Sequence, residues 1–332
     1  MFKLLRTLCI LTILVIAGSH TSILAQDSGY KTAPSINIGG EGRWDYCFVD
    51  AMNHRLYVSH GTKVHAIDLT TNTVVGEITG LNGVHGIAVA PELNKGFISN
   101  GRSDTVTVFD LKTLKVTNNV HVTGKNPDAI IYDPFSQRVF TFNGRSSNAT
   151  AIDAKTDTVV GTLPLDGKPE FGASNLSGKM YVNIEDKSII EEFDSKALKV
   201  TTKYSLAPCE GPSGLAIDLK NKLLFSVGDN KTMAVVSIKE GKVVASVPIG
   251  QGVDACAYDQ GTNMVFSSNG EGTVTVIKQT APGDYKVLET IPTLKGLRTM
   301  ALDPVTHNVY LIGNLEGKDG AKNFGVFVLE KK

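Results

Sequence analysis

Apolar and polar residues alternate with period two along most of the chain, in short runs rich in Val, Ile and Thr such as 105-TVTVFD-110, 273-TVTVIK-278, 73-TVVGEI-78 and 158-TVVGTL-163. Side chains alternate across a strand but not across a helix, so the pattern predicts short β-strands. The runs themselves recur. The segments 44-WDYCFVD-50, 84-VHGIAVA-90, 127-PDAIIYD-133, 169-PEFGASN-175, 212-PSGLAID-218, 253-VDACAYD-259 and 297-LRTMALD-303 align with one another. Their second residues, Asp45, His85, Asp128, Glu170, Ser213, Asp254 and Arg298, follow at steps of 40 to 44 residues. Seven units of that length suit four short strands each, the period of a β-propeller blade.

Each unit has the same grammar. The apolar inner segment ends at a turn, usually on Asp: Asp50, Asp133, Asp218, Asp259 and Asp303. A second strand opens on an aromatic: Tyr57, Phe97, Phe140, Tyr181, Phe225, Phe266 and Tyr310. A polar loop follows, commonly Asn-Gly. The third strand often ends at Asp68, Asp110, Asp153 or Asp194, where a carboxylate can accept from the backbone two residues on and start the next hairpin. The last unit stops at its third strand, 324-FGVFVL-329, and lacks a fourth. The segment 31-KTAPSINIG-39 precedes the first unit as a spare strand and is expected to complete the seventh blade, removing the open edges. The fold class predicted is all-β, a seven-bladed propeller of four-stranded antiparallel blades closed by an N-terminal strand.

The pieces 57-YVSHG-61, 97-FISNG-101, 140-FTFNG-144 and 266-FSSNG-270, with the sequels 65-HAIDLTTNTVVGEI-78 and 150-TAIDAKTDTVVGTL-163, resemble the repeats of the bacterial YVTN-repeat (YncE-like) propeller family. The resemblance spans residues 26–332, although 181-YVNIED-186 and 225-FSVGDN-230 depart from the motif. It implies a propeller serving as a binding module or partner platform, or, as in related groups, as a lactonase or lyase.

Residues 1–25 read as a signal peptide. Lys3 and Arg6 precede an apolar stretch, Leu8 to Ala17, and Ala25 suits cleavage. The stretch is too short for a stable span; an uncleaved anchor is the alternative. A single propeller domain is then expected over 26–332, periplasmic or secreted, with no membrane span after cleavage. Charge excludes little but orders the partners. The chain has 33 basic and 33 acidic residues, and without the leader 31 against 33. With no basic cluster, nucleic acid is not an expected partner; a small polar ligand or a protein partner is, with the chain a monomer. Cys47, Cys209 and Cys256 remain after cleavage, with no CxxC spacing. Cys47 and Cys256 sit in equivalent inner strands two blades apart, beyond disulfide reach. Three reduced thiols are expected, with Cys209, in an inter-blade loop, the most reactive.

Blade topology sorts the chemistry. Loops between blades and between second and third strands share one face, here called the top. Its inner rim reads Asp45, His85, Asp128, Glu170, Ser213, Asp254, Arg298. A second tier includes His60, Asn100, Arg102, Asn143, Arg145 and Asn269. Asp45, His85, Asp128 and Glu170 are the candidate ligands of a divalent metal ion, since carboxylate and imidazole donors from consecutive blades converge on the axis. The same groups suit acid–base chemistry. They also suit a plain channel wall, with rim side chains bonded to inter-blade backbone. Arg43, Trp44, Arg102, Arg145, Asp254 and Arg298 are the candidate ligand-binding residues. Arg102 and Arg145 occupy equivalent loops and can clamp a carboxylate or phosphate, or stand as solvated charges. Trp44 can stack on a ligand or pack between blades. His54, His65, His121 and His307 fall on turns or strand faces, form no spaced ligand set, and for the most part read as surface residues. The glycine-rich loop 313–323 is expected to cover this face. A binding or scaffold protein using the top face is the first functional reading. A metal-assisted lactonase- or lyase-type enzyme at the channel mouth is the second.

Overall fold

Seven four-stranded antiparallel sheets are laid around a ring, each built from consecutive strands except one. The computed structural model describes residues 27–40, 42–281, 283–316 and 322–332; the signal peptide assigned to 1–25 and the centre of the 313–323 loop lie outside them. The exception is blade seven. Its order is Tyr30–Asn37, Lys322–Lys331, Val309–Glu316, Met300–Leu302, so the N-terminal strand supplies the missing outer edge. Tyr30 pairs with Lys331 and Asn37 with Gly325, with a bulge between Ala33 and Ile36. The Tyr30 ring stands edge-on to Phe266, centroids 5.2 Å apart, and its hydroxyl donates to the His307 carbonyl at 2.9 Å.

The recurring residues do recurring work. All seven second-strand aromatics are buried in the faces where neighbouring blades meet. Apolar residues form seven clusters among the described residues, and each joins adjacent blades. One of them links Ile36, Tyr310 and Phe324 of blade seven to Cys47, Leu56 and Val58 of blade one. Third-strand aspartates cap the hairpins as expected: Asp68 Oδ1 accepts from the Thr70 and Thr71 amides at 2.8 and 3.0 Å. The inner-strand aspartates are buried and do the same, as Asp218 does for Lys220 and Asn221.

Three expectations about individual residues are corrected. Asn100, Asn143 and Asn269 are not top-face loop residues but are buried, because each donates across its hairpin to a third-strand hydroxyl: Thr107 at 2.9 Å, Thr150 at 3.0 Å and Thr275 at 3.0 Å. A buried amide needs such a partner. In blade one the same two positions hold His60 and His65, whose ring nitrogens meet at 3.2 Å. His65 is therefore a core residue, not a surface one, and burial drives its pKa down to about 4; His60 stacks on Phe324 with centroids 3.9 Å apart. In blade five the asparagine position is Gly228, and the Cys209 thiol fills the space: a Cβ at Gly228 would stand 2.6 Å from Sγ. Cys209 is thus fully buried, and burial raises its pKa to about 11. All three described cysteines are free and buried. In the folded protein Cys47, Cys209 and Cys256 should not react with Ellman's reagent, and all three should react once it is denatured; rapid labelling of Cys209 in the native state would contradict this packing.

Candidate functional site

The inner strand of each blade is the edge facing the ring axis, so the residue opening it projects at the channel mouth. Polar residues of the second strands pin these positions. Ser59 Oγ accepts from the Asp45 amide at 2.9 Å, Ser99 Oγ donates to the Asp128 carbonyl at 2.5 Å, and Asn183 Nδ2 donates to the Ser213 carbonyl at 2.9 Å. Ser268 Oγ likewise donates to the Arg298 carbonyl. Sequence reasoning missed these anchors; the signal was a polar residue recurring inside an otherwise buried strand.

Of the four candidate metal ligands, three meet. One ligand atom each from Asp45, His85 and Asp128 lies within 4.8 Å of the others. His85 Nδ1 is 2.5 Å from Asp45 Oδ2 and 3.4 Å from Asp128 Oδ1. Glu170 does not join them, because Lys168 Nζ holds its carboxylate at 2.7 Å and also contacts Glu185. Asp254 is engaged as well, by Thr299 Oγ1 at 2.9 Å and by Arg298 Nε at 3.4 Å.

The electrostatics follow from crowding acids at a half-buried rim. Burial, then the charge of Asp45, pushes the Asp128 carboxyl well above its usual range, against the pull of His85. Burial does the same to Glu170, opposed by its bond to Lys168, and lifts Asp254 to about 6 against Arg298. Burial works against the His85 imidazolium, but the Asp45 bond and the fields of Asp128, Asp45 and Glu170 outweigh it, so its pKa is raised.

Above this floor opens a cavity of about 550 Å³. Arg43, Trp44, Arg102, Arg145 and Arg298 line it, with Thr62 and Asn126, so all the candidate ligand-binding residues except Asp254 face one space. Trp44 also packs between blades, its ring 5.5 Å from Phe324, so both of its expected roles are compatible. Below the floor the channel changes character. Tyr46 and Phe171, from blades one and four, meet with centroids 5.5 Å apart. Beneath them lies a chamber of about 360 Å³ lined by Phe48, Ile131, Ile217, Tyr132 and Tyr258 among others. The aromatic pair was readable: the equivalent positions elsewhere are Gly86, Ala129, Gly214, Ala255 and Thr299. Burial, then the rim carboxylates, holds the Tyr46 phenol protonated far above its usual range.

No protein-family model and no curated protein sequence matches the chain. Among solved structures it is similar to Kuenenia stuttgartiensis hydrazine synthase, with a TM-score of 0.73 and 15% identity over 88% of this chain and 97% of that one. At that identity the likeness concerns the fold alone.

Proposed function

We propose that this protein is an exported propeller of the YVTN-repeat type that binds a small polar ligand at its top channel mouth, on a divalent cation held by Asp45, His85 and Asp128. The observation that carries the reading is the convergence of those three ligand atoms within 4.8 Å at the floor of an open cavity. Two carboxylate oxygens and one imidazole nitrogen form a mixed donor set suited to zinc, manganese or a similar ion, with positions left open toward the cavity. The cation takes the place of the proton that Asp45 and His85 share. Calorimetric titration of the metal-stripped protein with Zn²⁺, Mn²⁺ and Ca²⁺ at pH 8 tests this. The parent should take up one equivalent, and the Asp45→Asn/Asp128→Asn variant should lose at least about 100-fold in affinity. A parent that takes up none of the three ions removes the site.

A second reading rests on the Asp45–His85 bond. A carboxylate on Nδ1 fixes the ring and its tautomer, leaving Nε2 to move a proton at the cavity. That favours a lactonase- or lyase-type centre. Turnover in a screen of lactones, lost in His85→Ala, would establish it; cation binding without turnover leaves the protein a binding module.

A further inference from the structure

The arginines at the mouth are unusual in their pairing. Two lysines beside them are neutralised: Lys125 by Asp104 and Lys168 by Glu170, both at 2.7 Å. Among the described residues Arg43, Arg102 and Arg145 make no side-chain hydrogen bond or ion pair, whereas Arg298 reaches Asp254 through Nε alone. Four guanidinium groups around one cavity repel one another. Their arrangement is also two-ended. The cavity continues on one side into a space bounded by Arg102, Arg145, Lys125, Asn126 and Asp104, whose carboxylate is taken up by Lys125 and the Asn126 amide, and on the other into a space bounded by Arg43, Trp44, Gly296 and Arg298. Between the ends lie Asp45 and His85, a polar floor with hydrogen-bonding capacity.

We infer that the mouth takes an elongated dianion, with one carboxylate or phosphate group at each end and hydroxyl groups between. Each anionic group is gripped by two guanidinium forks, which match the planar or tetrahedral oxyanion with paired N–H donors. One terminus lies between Arg102 and Arg145, the other between Arg43 and Arg298 beside the flat face of Trp44. The central hydroxyls meet Asp45, His85 and any cation they hold. The cavity volume is within the range of small-molecule sites. This inference deepens the reading of the mouth as a ligand site, but the arginine pairs act with or without the cation.

The test is calorimetry at low salt with D-glucarate, a carboxylate-ended dianion, and fructose 1,6-bisphosphate, whose two phosphate ends together carry about three to four negative charges, and with gluconate and glucose as comparators. Metal-free and cation-loaded protein are titrated separately. At least one dianion should bind about tenfold or more tightly than gluconate, and glucose should not bind. Arg102→Gln/Arg145→Gln and Arg43→Gln should each weaken the dianion about tenfold or more while leaving gluconate, which can use the remaining end, less affected. Melting curves confirm that the exposed substitutions leave the fold intact. Dianion binding in the metal-free protein stands even if no cation is ever taken up. Cation uptake without dianion binding, equal affinity for gluconate, or binding indifferent to the arginines would overturn the inference.

Discussion

Deleting residues 26–39 should abolish the cooperative melting transition. The strand Tyr30–Asn37 buries Tyr30 and Ile36, pairs along Lys322–Lys331, and seals blade seven against blade one through Ile36 and its cluster. Its loss exposes one unpaired strand edge, together with apolar surface belonging to two blades. In a ring, each blade is supported on both sides, so a breach removes support in both directions. Single substitutions should show the same dependence in part: Tyr30→Ala removes a buried aromatic and its bond to His307, at a cost of about 3–5 kcal/mol. Scanning calorimetry is the measurement. The truncated chain should give a broad, low-enthalpy transition or aggregate, and a peptide of residues 27–39 added in trans should restore part of the parent curve. A truncated chain that melts like the parent would mean the ring closes without this strand.

The metal-free protein should become less stable as pH rises from 5 to 8. Asp128, Glu170 and Asp254 begin from ordinary values of 3.8, 4.5 and 3.8 in the unfolded chain and stand at about 7, about 8 and about 6 in the folded one. Across that window these carboxyls hold protons in the folded state that the unfolded state has released, so their contribution to stability is fully present below about pH 4 and falls as each proton is lost; the lowered His65 acts with the opposite sign between about pH 4 and 6.5 but is one group against three. His85, also raised, acts with the same sign as the carboxyls. The melting temperature should drop by about 5 °C or more between pH 5 and pH 8. A divalent cation should recover most of the loss at pH 8 and little at pH 5, where protons occupy the site. Asp128→Asn should flatten the profile. A melting temperature that is constant or rising over this window in metal-free protein would show that the rim acids are better solvated than their burial implies.

The architecture was legible because its determinants repeat. An aromatic at the start of every second strand, an aspartate at the end of most inner strands and a spare N-terminal strand leave few other arrangements. The rim was legible for the same reason, since equivalent residues of successive blades must converge. Side-chain pairing was not. Nothing in the sequence tells that Lys168 captures Glu170 and removes it from the cluster, because two residues of one segment meet only through the local turn of the strand entrance. Asn100, Asn143 and Asn269 look like loop residues beside a glycine; their burial depends on a hydroxyl six or seven residues later, at Thr107, Thr150 and Thr275. The fate of Cys209 was set by Gly228, an absence of side chain rather than a presence.

The seam in blade seven also fixes how the ring responds to mechanical load. Asp27 and Lys332 lie side by side and are joined by an ion pair at 2.9 Å. The strands they lead into are antiparallel neighbours, with Tyr30 opposite Lys331 at the same end of the sheet. Tension between the two ends therefore acts on the backbone bonds of this ladder one after another, as in unzipping, and never loads them together in shear. The closure that protects the protein against heat is consequently its weakest point under traction: once the N-terminal strand peels away, the remaining strands of the blade follow in order from the C-terminal side.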